Sequence, residues 1–176
     1  MTNEQLFAIL RPIVLSVTGV PECILADGKP GAKAPSGAYA SIRPRQSVTE
    51  RGQANIYTKD IPGDLVEFDV RAQVIASCSI NFFRGNALEY AERLKECNKR
   101  PDVSIALFKA GVGWGGTDAV NNLTGLQSAE WEQRAQITIR LMYEAHNIAE
   151  VNNILHATVI AENEKAQELA RVEVSA

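Results

Sequence analysis

A glycine-rich stretch is the first place in this sequence where residue types and spacing could support chemistry. Residues 111–116 have the spelling GxGxxG, in which glycines let the backbone approach a phosphate closely. A dinucleotide-binding fold also needs an amphipathic helix directly after the glycines and further strand–helix units, whereas a polar stretch follows here. We therefore expect a glycine-rich turn anchored by Trp114, and we keep a nucleotide-dependent enzyme as an alternative hypothesis.

The residue types used in metal binding and catalysis occur at unsuitable spacings. Neither His146 nor His156 has a cysteine or another histidine at ligand spacing. Cys78 lies on an apolar face, which favours a core position over a reactive thiolate. Glu130 and Glu132 could form a carboxylate pair, but nothing around them favours acid–base catalysis. These patterns predict no enzyme, no cofactor and no bound metal.

The composition favours a single globular domain over residues 1–176. The chain has 176 residues, of which 45% are hydrophobic and 22% charged, enough for one substantial core. The net charge of -3 is too small to drive nucleic-acid binding through phosphate contacts alone. Residues 1–19 lack a basic start and contain Arg11 and Pro12, so we expect neither a signal peptide nor a membrane span. Three widely spaced cysteines favour a reduced, cytoplasmic setting.

The strongest structural pattern is a long alternating segment over residues 64–83. Apolar residues at every second position predict a strand with one buried face: Phe68, Val70, Ala72, Val74, Ala76, Cys78, Ile80 and Phe82. At roughly 3.3 Å per residue this strand would span about 60 Å, which is wide for a small domain. We therefore expect a bend or bulge within it, or a projecting hairpin that contacts another subunit.

A helix should follow this strand and pack on the sheet. Arg84 and Gly85 interrupt the alternation, and Asn86 with Glu89 has the spacing of a capping box. We expect this helix to end before Pro101.

Shorter patterns predict the remaining elements. We expect a first helix over 2–19, strands over 20–26, 39–42, 55–58, 103–108, 136–143 and 155–161, a helix or turn over 148–155, a flexible loop over 27–38, a loop over 118–127, and a terminal helix or tail over 162–176. The predicted fold class is α+β, a mixed and mainly antiparallel sheet flanked by helices.

Charge is unevenly distributed along the chain. Residues 1–63 contain seven basic and five acidic residues, a difference of +2, whereas residues 101–176 contain five and ten, a difference of -5. Such asymmetry suits contacts between copies, although an ordinary solvated surface can also show it. Arg43, Arg45 and Arg51 concentrate positive charge around a predicted turn. They are candidates for contact with an acidic partner or with phosphate, and a nucleic-acid-associated module is a further alternative.

Two short segments resemble a known family. Residues 81–88 (NFFRGNAL) end the long strand and begin a helix, and residues 131–136 (WEQRAQ) lead into the strand predicted over 136–143. Together these segments resemble the phage neck and tail terminator family, over roughly residues 64–143. The Trp-Glu-x-Arg-Ala-Gln run is the more specific of the two.

The resemblance implies a structural virion protein of the tail or neck, assembled in the host cytoplasm. Its copies would form a ring, expected to be a hexamer, that caps the tail tube, ends its polymerisation and joins the tail to the head connector. The tail tube protein and a connector or neck protein would be partners, and also the sheath protein if the tail is contractile. DNA would pass through the lumen without specific binding, and no membrane is involved. Another neck or head–tail connector protein is the alternative.

Three residues of the second segment are candidates for a subunit or partner interface. We expect Trp131 to anchor the strand start in an apolar pocket. Glu132 and Arg134, two apart on an extended segment, would face a neighbouring subunit, although both could simply point to water. The predicted interface set is completed by Arg43, Arg45 and Arg51.

Overall fold

The computed structural model describes residues 1–28, 33–62, 65–127, 130–154 and 156–175. The chain divides into two compact units. The first unit comprises Met1–Gln53 and Ala72–Ala145, and the second unit comprises Ala54–Arg71 and His146–Ala176. The single domain over residues 1–176 therefore stays a prediction.

Three α-helices are described, all in the first unit: α1 (Asn3–Thr18), α2 (Ala87–Glu96) and α3 (Pro101–Lys109). The predicted capping box of α1 is confirmed, because Thr2 Oγ1 accepts a hydrogen bond from the Gln5 N–H at 3.2 Å. The predicted capping box of α2 is wrong, since the Asn86 side chain donates to Glu89 at 3.0 Å and caps no backbone group. In the part of the chain described here, no helix is long and apolar enough to cross a membrane.

Eleven strands are described: β1 (Glu22–Leu25), β2 (Tyr39–Glu50), β3 (Asn55–Ile61), β4 (Leu65–Phe83), β5 (Gly113–Thr117), β6 (Asn121–Asn122), β7 (Gly125–Gln127), β8 (Glu130–Glu132), β9 (Arg134–Asn152), β10 (His156–Glu162) and β11 (Glu168–Ser175). The main sheet has the order β1-β2-β4-β9-β5, while β3 pairs with β4 and β6 with β9. β7–β8 and β10–β11 form separate two-stranded sheets. The predicted α+β class and mainly antiparallel sheet are confirmed.

The core of the first unit lies against β4 and β9, as their alternation predicts. The buried side chains of β4 are Val74, Ala76, Cys78, Ser79, Ile80 and Phe82, and those of β9 are Ala135, Ile137, Ile139, Leu141 and Tyr143. All of these side chains except the polar Ser79 form one apolar cluster with residues of α1, α2 and α3. Each large apolar side chain buried in this way contributes about 1.5–3 kcal/mol, so the strand pair contributes substantially to stability.

The turn predicted before β3 is shorter than expected, because Arg43 and Arg45 lie within β2 and only residues 51–54, which include Arg51, connect the two strands. The register between β2 and β4 shifts so that residues 44–46 together face one residue of β4, which makes a bulge. Pro44 is fully buried in this bulge. It has no N–H to donate to the ladder, and a bulge is one of the few places where a sheet accepts proline. A bulge was expected within the long strand β4, and it lies instead in the neighbouring strand β2.

The predicted strand over residues 103–108 is also wrong, because these residues belong to α3. Pro101 lies in the first turn of the helix, where its missing N–H costs nothing, and Asp102 adds an acidic group there. The buried positions are Val103 and Leu107, four residues apart. A short apolar run fits either a strand or a helix, whereas a proline just before it indicates the start of a helix.

In the second unit, two further predictions are wrong. β9 continues to Asn152, so the residues from 148 to 152 form neither a helix nor a turn, while residue 155 lies outside the described residues. β11 replaces the terminal helix or tail predicted over 162–176, of which residue 176 is not described. The turn before β11 is built by Asn163, whose Oδ1 accepts from the N–H groups of Lys165 and Gln167.

Most other predicted elements are present in the structure, although β2, β3 and β9 extend beyond the predicted ranges. The strands predicted near 20–26, 39–42, 55–58 and 136–143 are confirmed, and that over 155–161 is confirmed from His156. The long strand is confirmed from Leu65, since residue 64 lies outside the described residues. Residues 27–28 and 33–38 contain no helix or strand, and 29–32 of that predicted loop are not described. The loop predicted over 118–127 contains the short strands β6 and β7.

All three cysteines are free and buried, and burial makes their thiols hard to ionise. Burial raises the pKa of Cys23 to about 12 and that of Cys97 to about 11. Burial also raises the pKa of Cys78, whose side chain is fully inaccessible in β4. These groups are therefore neutral core residues near neutral pH.

We predict an alkaline loss of stability from these thiols. An unfolded thiol ionises near pH 8.5 while a folded one stays protonated, so its stabilising effect is complete below that pH and is lost as pH rises through the folded pKa. For Cys78 the free energy of unfolding should fall by about 2 kcal/mol between pH 8 and pH 10 in urea titrations. In Cys78→Ala the fall should be smaller by that amount. An equal fall in both proteins would contradict the prediction.

Candidate partner interface at Arg84 and Trp131

Three segments that are distant in sequence meet at Arg84 in the first unit. The Arg84 N–H donates to the Gln133 carbonyl at 2.7 Å, and its Nε donates to Glu132 Oε1 at 3.0 Å. Its Nη1 donates to the carbonyls of Pro35 and Ser36, each at 2.7 Å. Arg84 therefore ties the end of β4 both to the segment before β2 and to the junction of β8 with β9.

Arg84 makes these bonds from an uncommon backbone conformation. Its φ is 62°, and the φ of Gly85 is 56°, so two successive residues lie in the left-handed region. For a residue with a side chain this conformation costs roughly 1–2 kcal/mol, and it persists only where surrounding contacts fix it. A Cβ on Gly85 would also lie 3.1 Å from the Ala38 Cβ, so glycine suits this turn in both conformation and space.

An aromatic stack lies beside this turn. The rings of Tyr39 and Phe83 are 4.7 Å apart and nearly parallel, with an interplanar angle of 11°. The guanidinium carbon of Arg134 lies 4.9 Å from the Phe83 ring centroid, and its Nη2 donates to Asn81 Oδ1 at 3.2 Å. Burial raises the pKa of Tyr39, so its hydroxyl stays protonated. Both predicted interface residues Glu132 and Arg134 are thus held by contacts within their own chain.

The structure places Trp131 on the surface. Its side chain is 75% exposed, and Leu126, directly opposite on the β7–β8 ladder, is 65% exposed. The predicted apolar pocket for Trp131 is therefore wrong. The hairpin borders an open cleft of about 690 Å³, lined by Arg84, Gly85, Asn86, Glu130, Trp131, Glu132 and Gln133. An exposed tryptophan paired with a leucine and surrounded by charged groups is typical of a protein contact surface.

The predicted basic residues contact other groups. Each guanidinium donates to a different neighbour: Arg43 to Asp27 at 3.0 Å, Arg45 to the Met1 carbonyl at 3.2 Å, and Arg51 to the Met142 sulfur at 3.5 Å. All three arginines are exposed. Only the Arg43 contact is an ion pair, and an exposed ion pair contributes about 0.2–1 kcal/mol, so it would compete only weakly with the acidic groups of a partner.

The glycine-rich stretch forms the predicted turn only at Gly111, which has a φ of 68° and follows α3. Residues 113–117 are strand β5, and their backbone pairs with β9 in the sheet. Trp114 does act as an anchor, because it packs against the core and its Nε1 donates to Thr117 Oγ1 at 2.9 Å. Among the residues described, no group of three or more histidine, cysteine, aspartate or glutamate side chains is arranged to hold a metal ion.

These features describe an exposed apolar hairpin beside charged groups, and comparison with known proteins places the chain in a phage structural class. The family model of the phage neck terminator protein matches residues 4–165. The chain belongs to the phage neck terminator family, which confirms the resemblance found in its two segments. This is a family of structural virion proteins and not of enzymes, so the chain has a structural role in the phage tail and neck. No curated protein matches the sequence.

Two residues of this surface were missed in the sequence patterns. Arg84 lies within residues 81–88, the first segment that resembles the family. An arginine followed by a glycine at the end of an alternating strand is the pattern that could have indicated its role. Leu126 falls in a stretch predicted as a loop, and only the pairing of β7 with β8 places it opposite Trp131.

We predict that Arg84→Lys destabilises the first unit. A lysine keeps the charge but cannot donate to Glu132 and to the two carbonyls in a fixed fork. Because the side chain is 42% exposed, we expect a discounted loss of about 1 kcal/mol, which lowers Tm by about 2–4 °C in calorimetry. Arg140→Lys is the matched control, since Arg140 pairs with Asp118 at a similarly exposed site. Equal changes in Tm for both variants would contradict the special role of Arg84.

Proposed function

We propose that copies of this chain form a ring, expected to be a hexamer, that caps the phage tail tube, ends its polymerisation and joins the tail to the head connector. The observation that carries the proposal is the exposed Trp131 and Leu126 pair, held on a base that Arg84 fixes. A tube grows by repeating one contact between its discs. A terminator must match the growing end and present a different surface beyond it, so that addition stops after one ring.

In this proposal Trp131 is the anchor of a contact with a neck or tail partner. Tryptophan is enriched among residues that dominate binding energy, particularly where polar groups around it exclude water. Arg84, Glu130 and Glu132 would form that surrounding rim. Because Glu132 is already bonded to Arg84, little side-chain freedom would be lost on binding. The partners proposed are the tail tube protein, a connector or neck protein, and the sheath protein if the tail is contractile.

A second surface is proposed on the basic side of the chain. The basic region over residues 43–59, which contains Arg43, Arg45 and Arg51, and residues 64–76 would supply one of the two faces of the ring; residue 64 lies outside the described residues. Reversal of the three arginines to glutamate is the test: normal ring formation and normal joining of tails to heads would remove this assignment.

The ring must let DNA pass without holding it. Weakly repulsive acidic walls serve this purpose better than a binding surface, and residues 101–176, with a charge difference of -5, are the proposed lining. A solved ring with this part of the chain on its outer rim would exclude the idea.

We predict that Trp131→Ala impairs assembly but not folding. The side chain is 75% exposed, so Tm should change by less than about 1 °C, whereas loss of a binding anchor worth about 2 kcal/mol should reduce joining roughly 30-fold. The assay mixes purified protein with filled heads and tails that lack it, and joined particles are counted by electron microscopy.

Two variants control this experiment. Leu88→Ala removes another exposed apolar side chain, 38% accessible in α2, and should join particles normally. Trp114→Ala removes the half-buried tryptophan and should lower Tm without acting at the proposed contact. Joining by Trp131→Ala at the wild-type level would exclude Trp131 as the anchor.

A further inference from the structure

Among the side chains that the structure describes in the second unit, none is buried, in contrast to the apolar cluster in the first unit. Its large exposed apolar residues are Ile56, Tyr57, Ile148, Val151, Ile154, Val159, Ile160, Leu169, Val172 and Val174. A sheet gains stability by burying one face against another layer, and a lone two-stranded hairpin is marginal in water. We therefore expect another layer of protein structure to cover the apolar surface of this unit.

The β10–β11 hairpin carries the most uniform part of this surface. Its register pairs Ala157 with Val174, Val159 with Val172 and Ala161 with Ala170. Side chains two residues apart lie on the same face of a strand, so these six residues form one face without a polar side chain, here called the valine face. Val159 is 60% exposed, and Val172 and Val174 are each 55% exposed.

The first unit presents a second apolar patch of a different shape. On α3, Pro101, Ile105 and Phe108 follow the spacing of one helical stripe, opposite the buried Val103 and Leu107. Ile105 is 54% exposed and Phe108 is 83% exposed, the largest exposed fraction among the exposed apolar side chains described. We call Pro101, Ile105 and Phe108 the phenylalanine face.

We propose that the valine face of one copy packs on the phenylalanine face of the next copy around the ring. The inference rests on the proposed ring, since a ring of more than two copies needs two different surfaces that meet head to tail. Two valine faces packed on each other would instead close a dimer. The sizes agree: the nine residues of α3 span about 14 Å, and the seven residues of β10 about 23 Å, so the helix fits along the hairpin.

The charges around the two faces also favour this pairing. Residues 99–109 carry Lys99, Arg100 and Lys109 against Asp102, a net charge of +2. Residues 156–175 carry four glutamates against Lys165 and Arg171, a net charge of -2. Opposite charges at the rims of an apolar contact guide the two surfaces together and disfavour contacts between like faces.

Two complementary variants test the inference. The first, Val159→Asp with Val172→Asp, damages the valine face, and the second, Phe108→Asp, damages the phenylalanine face. Each variant should fail to form the rings that the wild-type chain forms in solution or on tube ends, with self-association at least 10-fold weaker in analytical ultracentrifugation. When mixed, they should form one-to-one pairs, because each variant retains the face that the other lacks. The pairing does not depend on the folding of the hairpin that carries the two aspartates, because that variant contributes its phenylalanine face to the pair.

Matched controls show that the loss is specific to the two faces. Ile160→Asp lies on the opposite side of the same hairpin, and Leu88→Asp places a charge on another exposed helical residue; both should still form rings. Rings formed by either face variant would overturn this interface while leaving the proposed ring intact. Dimers formed by Phe108→Asp alone would show that valine faces pair with each other, which also overturns it. A wild-type chain that forms no ring, even on tube ends, would contradict both the interface and the proposed function.

Discussion

The candidate interface depends on one side chain, Arg84, held in a conformation that the backbone alone disfavours. Its guanidinium and its N–H join the end of β4, the segment at Pro35 and Ser36, and the junction of β8 with β9. The strained turn is stable because these bonds form together, and because Gly85 admits the close approach of Ala38. A rigid base of this kind lets an exposed hairpin present Trp131 in one orientation, which lowers the entropy lost on binding.

Much of the first unit could be predicted from the sequence, because its elements bury one face each. The alternation that ends at Phe82 survives in the buried residues of β4, and the α1 capping box forms from Thr2 and Gln5 as its spacing predicts. α3 was mistaken for a strand because an apolar run shorter than two helical turns fits both periods. The predicted strand ended at residue 42 because a proline such as Pro44 usually interrupts a strand. In the structure β2 continues past Pro44, which lies in a bulge.

Two predictions failed where the side chains are exposed. Residues 162–176 are rich in alanine and glutamate, which favours a helix, although Ala170, Val172 and Val174 alternate as a strand in β11. A sequence pattern also does not distinguish an aromatic residue that packs in the core from one that is exposed at the surface. For this reason Trp131 was predicted in an apolar pocket, although it lies at the surface. Both errors fall on apolar groups that the chain leaves uncovered, which is where an assembly protein differs from a self-contained domain.

The function proposed here thus depends on shape and self-association. Family membership establishes a structural role in the phage neck and tail, and we propose that the exposed apolar surfaces provide the contacts for assembly. Electron microscopy of phage particles produced without this chain tests the central claim most directly. The account predicts tail tubes that are overgrown or lack a cap, together with filled heads that carry no tail. Correctly joined particles with tails of normal length would contradict it.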